Sequence, residues 1–174
     1  MKINEESWVL TGGVLGRLFW AHLSHRSEGH PGSVDFPYNW FIKREETKKD
    51  CVGMYHTHPG FSATPSLRDY STMRGWITCF GKPLMCLIEG IDGLKAYWFF
   101  DDESECIPCH TVKQFGQLII AVLPPKKRYG KSAVVLPDKE KENISAFLPH
   151  YENYWDDDPH IIDWDDQDFF DSSR

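Results

Sequence analysis

The spacing of apolar and polar positions changes along the chain, and each change marks an element. Residues 8–23 are apolar and aromatic (Val9, Val14, Leu15, Leu18, Phe19, Trp20) and read as a member of a strand pair. Residues 24–38 hold Gly29, Pro31, Gly32 and Pro37 and read as a loop. In 39–49, Trp40, Phe41 and Ile42 begin either a strand or a helix, and the charged run after them is solvated in both cases. Residues 51–57 are predicted as a strand. Leu67, Tyr70, Met73, Trp76, Ile77 and Phe80 follow helical spacing, so 65–80 is a predicted helix. Ser66 and Asp69 fit its capping box, with Thr64-Pro65 as the start signal. After the Gly81-Lys82-Pro83 turn, 84–89 is a short buried strand, joined through Asp92-Gly93 to an aromatic partner at 94–100. Residues 106–112 give a further strand, 112–123 a helix or a strand, and 139–148 a short helix before Pro149. No internal repeat is present. The order strand, strand, helix, hairpin predicts an α/β domain whose central sheet is mixed or mostly antiparallel and flanked by helices.

Composition bounds the rest. A chain of 174 residues, 41% hydrophobic, with seven Trp, seven Tyr and eleven Phe, builds one packed domain, expected over 1–150. No apolar run reaches membrane-spanning length, and MKINEESW lacks the pattern of a signal peptide. Five cysteines, an odd number, suit a reducing compartment. A cytoplasmic protein with no membrane partner is the expectation. The net charge of −7 is unevenly spread. Residues 151–174 carry nine acidic residues against Arg174 alone, −8, leaving 18 basic and 17 acidic residues elsewhere, +1. Nothing resembles a nucleic-acid-binding face.

The chemistry concentrates in HTHPGFSATPSLRD, residues 56–69. His56 and His58, two apart on an extended segment, point to one side. Asp69, eleven residues on, can fold back toward them from the first turn of the helix. Two imidazoles, one carboxylate and an open position make a catalytic zinc arrangement. An HxH pair alone is a weak signal, and Ser66 and Asp69 serve a helix cap whether or not a metal is bound.

The run H-T-H-P, six residues, S-x-x-D resembles the JAMM motif of the JAB/MPN metalloprotease family. Val52-Gly53-Met54-Tyr55 is similar to the strand that leads into that motif, and Gly12-Gly13-Val14-Leu15 to the family's early glycine-containing strand. The resemblance covers roughly residues 8–100. It implies a JAB/MPN-like, cytidine-deaminase-like α/β fold. It also implies a Zn2+ ion held by His56, His58 and Asp69, with Ser66 as catalytic donor to the oxyanion. The implied activity is that of a peptidase or isopeptidase cleaving after the C-terminal tail of a ubiquitin-like protein, with that protein or its conjugates as partner. Compact prokaryotic members are linked to ubiquitin-like conjugation systems, some of them in phage defence. The family's catalytic glutamate, however, aligns with Leu10. Three expectations follow: Glu5 or Glu6, with Glu6 the candidate catalytic residue, replaces it; Leu10→Glu raises activity; or the chain is a non-hydrolytic MPN-type scaffold.

Three further features carry alternatives. Cys106-Ile107-Pro108-Cys109-His110 matches the pattern for covalent haem attachment, half of a structural zinc site completed by Cys79 and Cys86, or two ordinary thiols. His22, His25, His30 and Glu28 form a second metal cluster or a histidine-bearing surface loop. The 151–174 tail interleaves eight aspartates with Trp155, Trp164, Phe169 and Phe170, and is either a solvated terminus or a segment that docks on a folded surface.

Overall fold

A computed structural model describes residues 4–32, 34–103, 105–124 and 136–148. The elements are β1 (Glu6–Leu15), β2 (Leu18–Glu28), α1 (Tyr38–Lys48), β3 (Cys51–Thr57), α2 (Leu67–Phe80), β4 (Leu84–Gly90), β5 (Gly93–Phe99), β6 (Ile107–Pro108), β7 (Thr111–Phe115), β8 (Leu118–Val122) and α3 (Asp138–Phe147). The strands form one eight-stranded sheet in the order β6-β5-β4-β3-β1-β2-β8-β7. Only β3 and β4 pair in parallel, because α2 carries the chain back between them. The mixed sheet flanked by helices is the expected α/β class.

Alternation along the strands sorts side chains onto two faces. On one face Val9, Met54, Cys86 and Ile88 pack against Phe41 of α1 and Met73, Trp76 and Ile77 of α2. On the other, Leu10, Phe19, Tyr55, Met85, Trp98 and Ile119 form a second core made by the strands themselves. The sheet closes that core by curling. β2 and β5 are four strand spacings apart, about 19 Å in a flat sheet at ~4.8 Å per strand. Yet the rings of Phe19 and Trp98 meet edge to face with centroids 6.3 Å apart. α3 covers the outer face of β2 and β8, where Ile144 and Leu136 meet Leu18, Trp20 and Ile120.

Several sequence expectations change. Residues 24–28, read as a loop, continue β2, where His25 to Glu28 pair with the first half of β1 and Ser24 is passed over at a register shift. Their side chains alternate between partly and fully exposed, so a polar strand carried no hydrophobic signal. Residues 8–23 are parts of two strands joined by a tight turn at Gly16-Arg17. The 39–49 segment resolves as helix α1, and 112–123 as the hairpin β7–β8. The 151–174 tail lies outside the described residues.

Candidate metal centre

β3 delivers His56 at its C-terminal end, 5% exposed, and His58 follows just past the strand. α2 delivers Asp69. Ser66 caps that helix: its hydroxyl accepts the Asp69 N–H at 3.2 Å, and the Asp69 carboxylate accepts the Ser66 N–H at 2.6 Å and O–H at 2.7 Å. The reciprocal cap leaves the carboxylate facing the rings. Nε2 of His56 lies 3.0 Å from Nε2 of His58 and 3.0 Å from Oδ1 of Asp69, and Nε2 of His58 lies 3.5 Å from Oδ2. Zinc at 2.0–2.1 Å from nitrogen and oxygen ligands in a tetrahedron keeps ligand atoms about 3.3–3.4 Å apart. The three donors therefore fit one ion. They are the only such group of histidine, cysteine or acidic side chains among the described residues.

The tautomer of His58 is set by its neighbour. Its Nδ1 lies 3.1 Å from the Ser62 carbonyl, which can only accept, so Nδ1 carries the proton and Nε2 offers a lone pair. Burial pushes the Asp69 carboxyl up, but hydrogen bonds from His56 and His58 outweigh it and hold it well below the usual carboxylate range. The hydrogen bond to Asp69 raises His58, against an opposing contribution from burial. The two rings thus face a carboxylate that favours its ionised form, the charge that attracts a cation.

The segment between the histidines and α2 is clamped. The His58 N–H donates to Glu89 O at 2.8 Å, and Ile91 N–H to Phe61 O at 2.9 Å. Ala63 is fully buried: its N–H donates to Asp92 Oδ1 at 2.6 Å, and its carbonyl accepts from the Tyr97 hydroxyl at 2.6 Å. Gly90 permits this approach, since a Cβ there would stand 2.4 Å from Ala63 N and 2.6 Å from Phe61 O. Asp92 and Tyr97 were legible in the sequence only as turn and strand residues.

A cleft opens over the three donors. Glu5 and Ser7 line it from β1 and its approach, Phe36 and Tyr38 from the segment entering α1, and Arg68 and Thr72 from α2. Strand parity decides which glutamate arrives. Glu5, Ser7 and Val9 face the helices; Glu6, Trp8 and Leu10 face away. The candidate Glu6 is not brought to the site. It is ion-paired with Arg26 at 2.8 Å, and Arg26 lies over the Trp8 ring. Glu5 lines the cleft, and its charge contributes to raising His58. Leu10 is fully buried in the second core, on the face turned away from the cleft, so a glutamate at that position would not face the three donors. Ser66 is at the site, but its single hydroxyl proton is directed at Asp69 Oδ2. The role visible for it is to hold a ligand.

The other clusters do not assemble. Cys106 packs against the helix-side core and Cys109 against the second core, so the pair is split between two faces. Burial pushes Cys109 up to about 12, and the thiol is inert. His22 pairs with Glu140 of α3 at 3.3 Å, and His25 stacks on Trp40. Both serve packing between elements.

Comparison with curated proteins gives no match. The family described as prokaryotic homologs of the JAB domain matches residues 7–100, more than half of the chain. That span contains His56, His58, Ser66 and Asp69, and it begins just after Glu5 and Glu6. The family includes metalloprotease members, and zinc is its frequent ligand. With its motif residues gathered in one cleft, the chain belongs to the prokaryotic homologs of the JAB domain.

Proposed function

We propose that this protein is a zinc-dependent peptidase or isopeptidase that cleaves after the C-terminal tail of a ubiquitin-like protein, within a bacterial ubiquitin-like conjugation system. The observation that carries the reading is Glu5 in the same cleft as His56, His58 and Asp69. A carboxylate beside three ligands is the equipment of a hydrolase, and a scaffold has no use for it.

His56, His58 and Asp69 would hold the ion. When bound, zinc polarises a carbonyl and acidifies water, bringing its pKa from 15.7 to about 7. Glu5 accepts the proton of the attacking water and returns it to the departing nitrogen, so the peptide bond breaks with no net change in the enzyme. Such positioned acid–base help is worth about 10²–10⁴ in rate. Ser66 keeps Asp69 facing the rings through two hydrogen bonds. A macromolecular substrate is supported by the surface. Phe61, Leu67 and Ile91 are strongly exposed, and all three sit on the segments that carry or brace the site. Apolar groups exposed on these segments suit a protein partner.

The test is cleavage of ubiquitin-like fusions by zinc-loaded protein. Glu5→Gln is expected to lower the rate by about 10²–10⁴ with zinc retained, Glu6→Gln to change it little, and His58→Ala to lose both zinc and activity. A zinc-loaded wild-type chain that binds these fusions and cleaves none of them would favour the non-hydrolytic scaffold.

A further inference from the structure

Ser7 is 1% exposed, and its Oγ has no hydrogen-bond partner. A hydroxyl buried without a partner is destabilising, so its position calls for an explanation. Ser7 lines the cleft and stands directly across the β1–β3 ladder from His56. Directly opposed residues hold their Cβ atoms about 4.5–5.5 Å apart on the same face. His56 directs Nε2 at Asp69 and His58, and among the described residues its Nδ1 makes no hydrogen bond. A neutral imidazole that offers Nε2 to a metal carries its proton on Nδ1, and ligating histidines almost always donate that proton to an acceptor. The two histidines are unequal in this respect. His58 has the Ser62 carbonyl; His56 has an unsatisfied hydroxyl facing it across the sheet.

We infer that Ser7 is the positioning residue of His56: its Oγ accepts the Nδ1–H of the ring and so fixes the tautomer that presents Nε2 to the metal. Rotation about a single bond, Cα–Cβ of Ser7, turns the hydroxyl toward the ring. The contact satisfies two polar groups at once, one of which is otherwise stranded between β1 and the helices. The inference rests on the metal reading of the site.

Ser7→Val and Ser7→Thr have the same branched shape and differ by a methyl against a hydroxyl. Zinc affinity is measured by competition with a chromogenic chelator, and the His56 Nδ1–H by its proton resonance and solvent exchange in zinc-loaded protein. Ser7→Thr is expected to match wild type within a few-fold, and Ser7→Val to bind zinc roughly 10–100-fold more weakly. The Nδ1 proton of His56 should be hydrogen-bonded and slow to exchange in wild type and Ser7→Thr, and exchange faster in Ser7→Val. Ser7→Ala repeats the reading should valine prove too bulky to fold. Tight zinc binding by both wild type and Ser7→Val, or an Nδ1–H unchanged by the valine, overturns the inference alone. A wild-type chain with no zinc affinity sinks the metal reading and the inference with it.

Discussion

Leu10 and Glu5 are near neighbours in the chain and face opposite sides of the sheet, and this parity sets what each can do. Leu10 sits among Phe19, Val52 and Met85 in a core with no polar partner. A carboxylate placed there is buried and unpaired, which is destabilising by roughly 3–5 kcal/mol. Leu10→Glu is therefore expected to lower the unfolding midpoint strongly and to add no activity; a stable and more active variant would show that β1 is shifted in register. A second expectation concerns pH. Asp69 is depressed, so its contribution is present above about pH 3.9 and is lost as pH falls through the folded value. His58 is raised, so its contribution is full below about pH 6.5 and is lost as pH rises through its folded value. Chelator-stripped protein should thus melt lower near pH 8 than near pH 6, and His58→Ala should flatten that difference. Zinc requires neutral imidazoles, so its stabilisation should grow over the same interval. A zinc shift in melting temperature that is larger at the acidic end would contradict the ligand assignment. At this scale the ligands were legible because 56–69 is one short segment with fixed spacing. Which glutamate lines the cleft was not, because it depends on which face of β1 is turned toward the helices.

Among the elements, the clamped segment between β3 and α2 links the sheet to the site. Its backbone is held by Glu89, Asp92 and Tyr97, all from β4, β5 and their turn. Gly90 is the position where contact is closest. In Gly90→Ala the new methyl meets main-chain atoms of 61–63, which cannot swing aside as a side chain would. The segment must move, and Ser62, which anchors His58, moves with it. Zinc affinity is expected to fall roughly tenfold, the scale of losing an outer contact to a ligand. Unchanged affinity in a chelator competition would mean that His58 is held by β3 alone. The capped helix α2 and the hairpin β4–β5 were plain from sequence, because a capping box, helical spacing and an Asp-Gly turn are local signals. α1 was not, because it buries only Phe41 and leaves most of its surface polar. The polar half of β2 was hidden for the same reason.

The whole molecule divides its labour between two faces of one curled sheet. The cleft lies on the helix side, while Phe19 and Trp98 close the opposite core. Phe19→Ala is expected to cost about 3–5 kcal/mol in urea unfolding while leaving zinc affinity unchanged below the transition. A parallel loss of zinc affinity would show that the curl itself sets the ligand spacing. The curl was beyond the sequence, since alternation tells which side chains share a face and not how far a sheet bends. Among the described residues no helix is long and apolar enough to cross a membrane. The β3–α2–β4 crossover has one more consequence, which belongs to time. All three ligands lie within this unit, so closing them over the ion requires only a short loop, whereas Glu5 must be brought in by β1 from far along the chain. On the proposed reading, metal capture and hydrolytic competence would arise at different stages of folding. A chain that has formed β3, α2 and β4 but not yet docked β1 would chelate zinc while lacking its base, and the enzyme would stay silent until the last long-range pairing was made.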